Sequence, residues 1–236
     1  MATLTVFLAP DGPAGGVLDV LTDLSAAGLV EPFLWVVDAD AAGDGALDQR
    51  DPRSLDVSAV TVAAGRRTPT TLNSALADVA HERRRLCVVV PLSGPDAPVG
   101  TEVEQRVSAF VQFTGSPVDT TRIRVVVARP GDSAPPELLA RDGWHNVFLS
   151  YEDAYGPGMP ALLLSPDADP VEVGRHAAPA VAGIVGLWTG VDRTPLDAMP
   201  PPSGVRAGRA FYRRVDAGAV ERELRGRVLS TAPPLP

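Results

Sequence analysis

Three apolar runs in this sequence end in groups that could hold a cation or move a phosphoryl group. "FLWVV" (33–37) is followed by Asp38-Ala39-Asp40, and "LCVVVPL" (86–92) by Ser93. "HNVFLS" (145–150) opens into Tyr151-Glu152-Asp153, with the turn-forming Gly156-Pro157-Gly158 just beyond. Two carboxylates one residue apart can bind a hard cation such as Mg²⁺ while one of their oxygens attacks phosphorus. Ser93 could hold a phosphate oxygen, and Glu152 or Asp153 could complete the metal shell. On this alternative reading the catalytic set is Asp38, Asp40, Ser93 and Asp153, and the metal set is Asp38, Asp40, Glu152 and Asp153.

The layout is similar to that of the haloacid-dehalogenase-like phosphatases, which implies Mg-dependent phosphoryl transfer at the Asp38-x-Asp40 pair. Two departures stand against it. Those enzymes carry Asp-x-Asp on their first strand, whereas here it follows the second. They also use a lysine to hold the phosphate, and all 21 basic residues of this lysine-free chain are Arg. A Schiff-base lysine and a P-loop lysine are excluded on the same ground.

Other catalytic patterns are missing or damaged. The first apolar run leads into "APDGPAGG" rather than Gly-x-Gly-x-x-Gly, and no Gly-x-Ser-x-Gly occurs. "DADAAGDGALDQ" (38–49) starts like a calcium loop but has Ala42 at its fifth place and Gln49 at its twelfth. His81, His145 and His176 lack metal-ligand spacing with one another or with Cys87, so each reads as structural.

These residues need elements to position them. Strands are expected at 3–9, 33–37, 58–63, 86–92, 122–128 and 145–150, with another short piece at 160–165. Helices are expected at 15–27 with Gly28 as stop, along Leu72 to Ala80, from Thr101 to Gly115, and at 171–188 with a break or kink at Pro179. An exposed basic cluster, Arg83-Arg84-Arg85, should precede the fourth strand. The acidic stretch 38–57 has no periodicity and reads as a long loop. Alternating strands and helices predict an α/β fold: a three-layer Rossmann-like or flavodoxin-like sandwich with a mainly parallel sheet of about six strands. The sixth strand is expected near one edge, with either a parallel or an antiparallel direction open to it, and ligands are expected beyond the strands' carboxyl ends. That rim takes in Pro10-Asp11-Gly12, Gly65-Arg66-Arg67, Ser93 to Asp96, Arg129 to Asp132 and Ser150 to Asp153.

The expected organisation is a domain over 1–191, a Pro-rich linker over 192–204 and an Arg-rich strand–helix extension over 205–236. In the extension a helix from Asp216 should place Val220, Leu224 and Val228 on one stripe. Its seven Arg against three acids make it net +4, so the rest of the −8 chain is −12. The acidic balance argues against a nucleic-acid partner, and 5% aromatics leave few stacking platforms. No apolar run is long enough for a membrane span, no leader is evident, and the lone Cys87 lies in an apolar run. A cytoplasmic protein is therefore expected. The leading reading is a noncatalytic Rossmann-like interaction or regulatory module in a larger assembly, without a cofactor. It would meet a protein partner through Arg206, Arg209, Arg213, Arg214, Arg222 and Arg225.

Overall fold

The structure, a computed structural model, describes residues 3–8, 13–37, 57–77, 83–92, 107–109, 111, 120–128, 140–151, 168–210 and 217–230. The chain divides into two compact units, Met1–Glu152 with Leu164–Ala210, and Asp153–Leu163 with Phe211–Pro236. The first unit is α/β with a mostly parallel sheet of eight strands. In chain order its elements are β1 (Thr3–Leu8), α1 (Pro13–Ala26), β2 (Phe33–Val36), β3 (Ser58–Ala63), β4 (Arg66–Thr71), α2 (Leu72–Ala77), β5 (Arg83–Pro91) and β6 (Thr120–Val127). They continue with β7 (His145–Tyr151), α3 (Pro170–Ile184), α4 (Pro195–Ala198) and β8 (Val205–Ala210). The described part of the second unit is one helix, α5 (Ala217–Ser230).

The strand order is β4-β3-β2-β1-β5-β6-β7-β8. Pairs β2–β1, β1–β5, β5–β6, β6–β7 and β7–β8 are parallel, while β2–β3 and β3–β4 are antiparallel. The layout is consistent with a Rossmann-like arrangement, but it has eight strands with an antiparallel edge rather than about six. Among the described strands only β3 runs against the others. It turns into β4 through Ala64 and Gly65, both at positive φ, the conformation of a type I′ hairpin turn that keeps the strands' natural twist. Gly65-Arg66-Arg67 is thus that turn and the start of β4, at the opposite end of the sheet from the carboxyl rim.

β7 lies one strand from the edge, as expected, and of the two directions left open it takes the parallel one, pairing with β6 and β8. The Arg83-Arg84-Arg85 cluster is the start of β5, and Arg84 and Arg85 are buried. α3 runs unbroken through Pro179. That residue faces solvent, so water can satisfy the carbonyl that a missing N–H leaves behind. The piece expected at 160–165 lies outside the described residues, as does most of 101–115. Residues 107–109 and 111 of the latter are helical, with Val107 and Val111 buried.

Alternation along each strand builds two cores. One contains Val6, Leu8, Leu34, Val36, Leu86, Val88, Val90 and Val126, packed with Leu72 and Leu76 of α2 and with Val107 and Val111. The opposite face carries Phe7, Phe33, Trp35, Cys87, Val89, Ile123 and Val125, all buried. Phe7 meets Phe33 edge-on at 5.4 Å and stacks on Trp35 at 5.3 Å. α1 and α3 pack closely against each other, and both contact the sheet. Strands buried on both sides read as unbroken apolar runs, as β2 and β5 do. Burial of the Cys87 thiol pushes its pKa up, so it stays protonated and inert.

Candidate functional site

The positions expected to carry chemistry, Asp38, Asp40, Ser93, Glu152 and Asp153, all lie outside the described residues. The strands that lead to them are described. Asp38-Ala39-Asp40 follows β2, Ser93 follows β5, and Glu152 directly follows β7. β2 and β5 are separated by one strand, whereas β2 and β7 are separated by three. At about 4.8 Å per strand, the β2 and β7 exits are about 19 Å apart and the β2 and β5 exits about 10 Å. The topological switch falls between β1 and β5. Among the described residues no group of three His, Cys, Asp or Glu side chains could hold a metal.

The best-defined polar cluster sits at the other end, where the parallel strands begin. Arg85 of β5, Thr121 of β6, His145 of β7 and Arg206 of β8 lie on the same sheet face on successive strands. The segment after α3 closes over them. Gly186, at φ +62, ends α3: its own N–H donates to the Gly183 carbonyl, and the Leu187 N–H donates to that of Ala182. This is a Schellman stop, which needs glycine at the left-handed position. A Cβ on Gly186 would also lie 3.1 Å from Arg85 Nη1 and overlap the Thr194 side chain.

Beyond Gly186 the chain enters α4 through a capping box, with Thr194 at the N-cap, Pro195 at the first helical position and Asp197 reaching back to the Thr194 amide at 2.7 Å. Asp197 also accepts two bonds from Arg85, at 3.1 Å from Nε and 2.7 Å from Nη2, and one from Thr121 Oγ1 at 3.0 Å. The rest of the Arg85 fork donates to the carbonyls of Gly186 at 3.0 Å and Asp192 at 3.1 Å. Arg83 adds a bond to Asp192 O at 3.0 Å. The paired side chains are 1% and 3% exposed. Burial raises the Asp197 pKa, but the hydrogen bonds and charge of Arg85, the Thr194 amide and Thr121 outweigh it and hold the carboxyl at about 2.

His145, buried beside this pair, receives a bond from Arg206 Nη1 to its Nδ1 at 2.9 Å. A guanidinium only donates, so Nδ1 is the acceptor and the ring proton sits on Nε2. Burial, then the Arg206 charge, push the imidazole pKa down against Asp197 and the backbone of Met199 and Leu196. Arg85, Asp197 and His145 are buried, while Thr121 and Arg206 at the margins of the cluster are half-buried. Its bonds fasten 186–199 to β5, β6 and β7. Sequence reasoning missed it, although Thr194-Pro195-Leu196-Asp197 is a readable helix-start pattern.

The expected contact residues are divided among these settings. Arg206 is engaged with His145 in the sheet, and Arg209 lies on β8. Arg213 and Arg214 lie outside the described residues. Arg222 and Arg225 are exposed on α5. That helix also exposes Val220 at 45%, Leu224 at 56% and Val228 at 67%. Glu221–Arg225 at 2.7 Å and Glu223–Arg227 at 2.6 Å form i,i+4 ion pairs along it. Among the described residues it is the densest set of exposed large apolar side chains. Among the described residues no helix is long and apolar enough to cross a membrane. No protein-family model, no curated protein and no solved structure matches this chain.

Proposed function

We propose that this chain is a noncatalytic module of a larger cytoplasmic assembly, acting by protein contact or regulation, with α5 as its contact element. The observation that carries this is the exposed Val220-Leu224-Val228 stripe flanked by Arg225, with Arg222 exposed elsewhere on the same helix. Apolar side chains spaced four apart on a helix are the usual anchors of helix-in-groove recognition. The α/β unit then serves as a scaffold. Its fold is a three-layer Rossmann-like sandwich whose six successive parallel strands follow the flavodoxin-like order with one strand added. The test is affinity capture with cross-linking, comparing the full chain with one ending at residue 210. The reading expects the captured contacts to vanish with α5; an unchanged set of partners would overturn it.

The alternative is Mg-dependent phosphoryl transfer or nucleotide sensing at the carboxyl rim. It is favoured by the switch point between β1 and β5. The separation of the β2 and β7 exits disfavours one metal shell shared by Asp38 and Asp153. Calorimetry with Mg²⁺ and a panel of phosphorylated ligands distinguishes the two readings. Binding heat that Asp38→Asn abolishes would favour the enzyme or sensor.

A further inference from the structure

We infer that α5 is a self-association element whose partner is α5 of a second copy of the chain, lying antiparallel with the two-fold axis at Leu224. This rests on the interaction reading above and names the partner. Three observations lead to it.

The apolar stripe is symmetric. Val220 and Val228 stand four residues either side of Leu224. At about 100° per residue they fall about 40° either side of it, so the three form one narrow seam. The charges are antisymmetric about the same point. Glu223 and Arg225 are one residue either side of Leu224, and Glu221 and Arg227 three either side. Reversing the helix about Leu224 exchanges valine for valine and each acid for a base.

A second copy running the opposite way therefore sets Val220 against Val228 and the acidic half of one helix against the basic half of the other. The ion pairs Glu221–Arg225 and Glu223–Arg227 line opposite flanks of the seam, so each copy brings a Glu alongside a partner Arg. A parallel copy would gather the acids at one end and the bases at the other. Antiparallel helix dipoles add to the preference, and the result is a closed isologous dimer. The other symmetric pair, Arg222 and Gly226, projects away from the seam.

The third observation is exposure. Every residue from Val220 to Val228 is exposed. An isolated helix of 14 residues is marginal in water, and amphipathic packing normally holds it. Pairing supplies that packing. The helix is about 21 Å long, so the interface falls at the low end of specific contacts and its occupancy depends on concentration.

Sedimentation velocity of the full chain tests this. The expected result is a mass that rises from 24.6 kDa toward twice that value between low micromolar and near-millimolar concentration. Leu224→Glu should remain monomeric throughout. Glu221→Arg with Glu223→Arg should weaken association by about tenfold or more, and adding Arg225→Glu with Arg227→Glu should restore it. Orientation is read by oxidation, because the native Cys87 is buried. Val220→Cys mixed with Val228→Cys should cross-link, and neither should cross-link with itself. A monomer at every concentration, a dimer indifferent to Leu224→Glu, or self-cross-linking of each cysteine variant would overturn the inference. A monomeric chain that loses a captured partner on Leu224→Glu would overturn self-association alone and leave the interaction reading standing.

Discussion

Asp197 accepts hydrogen bonds from Arg85, Thr121 and Thr194 at once, and each donor belongs to a different segment. Removing the carboxylate leaves the Arg85 charge buried without its counter-ion, a change that costs about 3–5 kcal/mol. Urea unfolding of Asp197→Ala should show a loss of that size. The same group gives an acid limb to stability. An Asp carboxyl with an ordinary pKa of 3.8 is held at about 2 in the fold, so the unfolded chain binds the proton more readily. The stabilisation, about 2 kcal/mol, is full above about pH 4 and disappears as pH falls toward 2. Asp197→Asn should flatten the stability profile in that window. His145 acts at a higher pH. Its folded pKa is depressed, so folding favours the neutral ring and protonation favours unfolding. Stability should fall as pH drops below about 6.5, the ordinary imidazole value. His145→Gln should remove that slope in thermal melts taken between pH 8 and pH 5.

At the scale of elements, close approach of α1 and α3 is set by small residues. A Cβ on Gly16 would overlap the Val171 carbonyl oxygen and lie 2.8 Å from the Arg175 amide. Both are backbone atoms and cannot rotate away. Gly16→Ala should therefore destabilise by about 1–3 kcal/mol despite its better helix propensity, which denaturant titration would read as a lower midpoint. The elements differ in how legible they were. β1, β2, β5 and β6 carry unbroken apolar runs because both of their faces are covered, and a sequence shows that directly. α5 was equally plain, with its start and apolar stripe set by spacing alone. β4, "RRTPTT", carries no apolar signal because it is an exposed edge strand, where Pro69 costs no interior ladder bond. The direction of β3 was hidden because it is set between β2 and β3, where residues 38–57 carry no periodic pattern to show how the chain returns. Arg83 to Arg85 misled because charge normally marks a solvated face. Here the Arg85 charge is matched by Asp197, 112 residues away in sequence, and no local pattern records that partner.

For the whole molecule, sequence reasoning reached the α/β class and the mostly parallel sheet, because both follow from alternating periodicity. The candidate site was less accessible. Convergence of Asp38, Ser93 and Asp153 depends on strand order, which a sequence does not contain, and the order puts three strands between β2 and β7. The buried Arg85–Asp197 cluster fastens 186–199 at the amino end, and α5 presents the exposed seam. The account thus divides the work: an α/β scaffold that folds by its own core, and a helix that makes contacts. A chain ending at residue 210 keeps all eight strands and removes α5, so melting temperature and sedimentation can be measured on the same sample. The account predicts an unchanged, cooperative melt of the sheet with association abolished. A collapse of the melt, or association undiminished without α5, would contradict it.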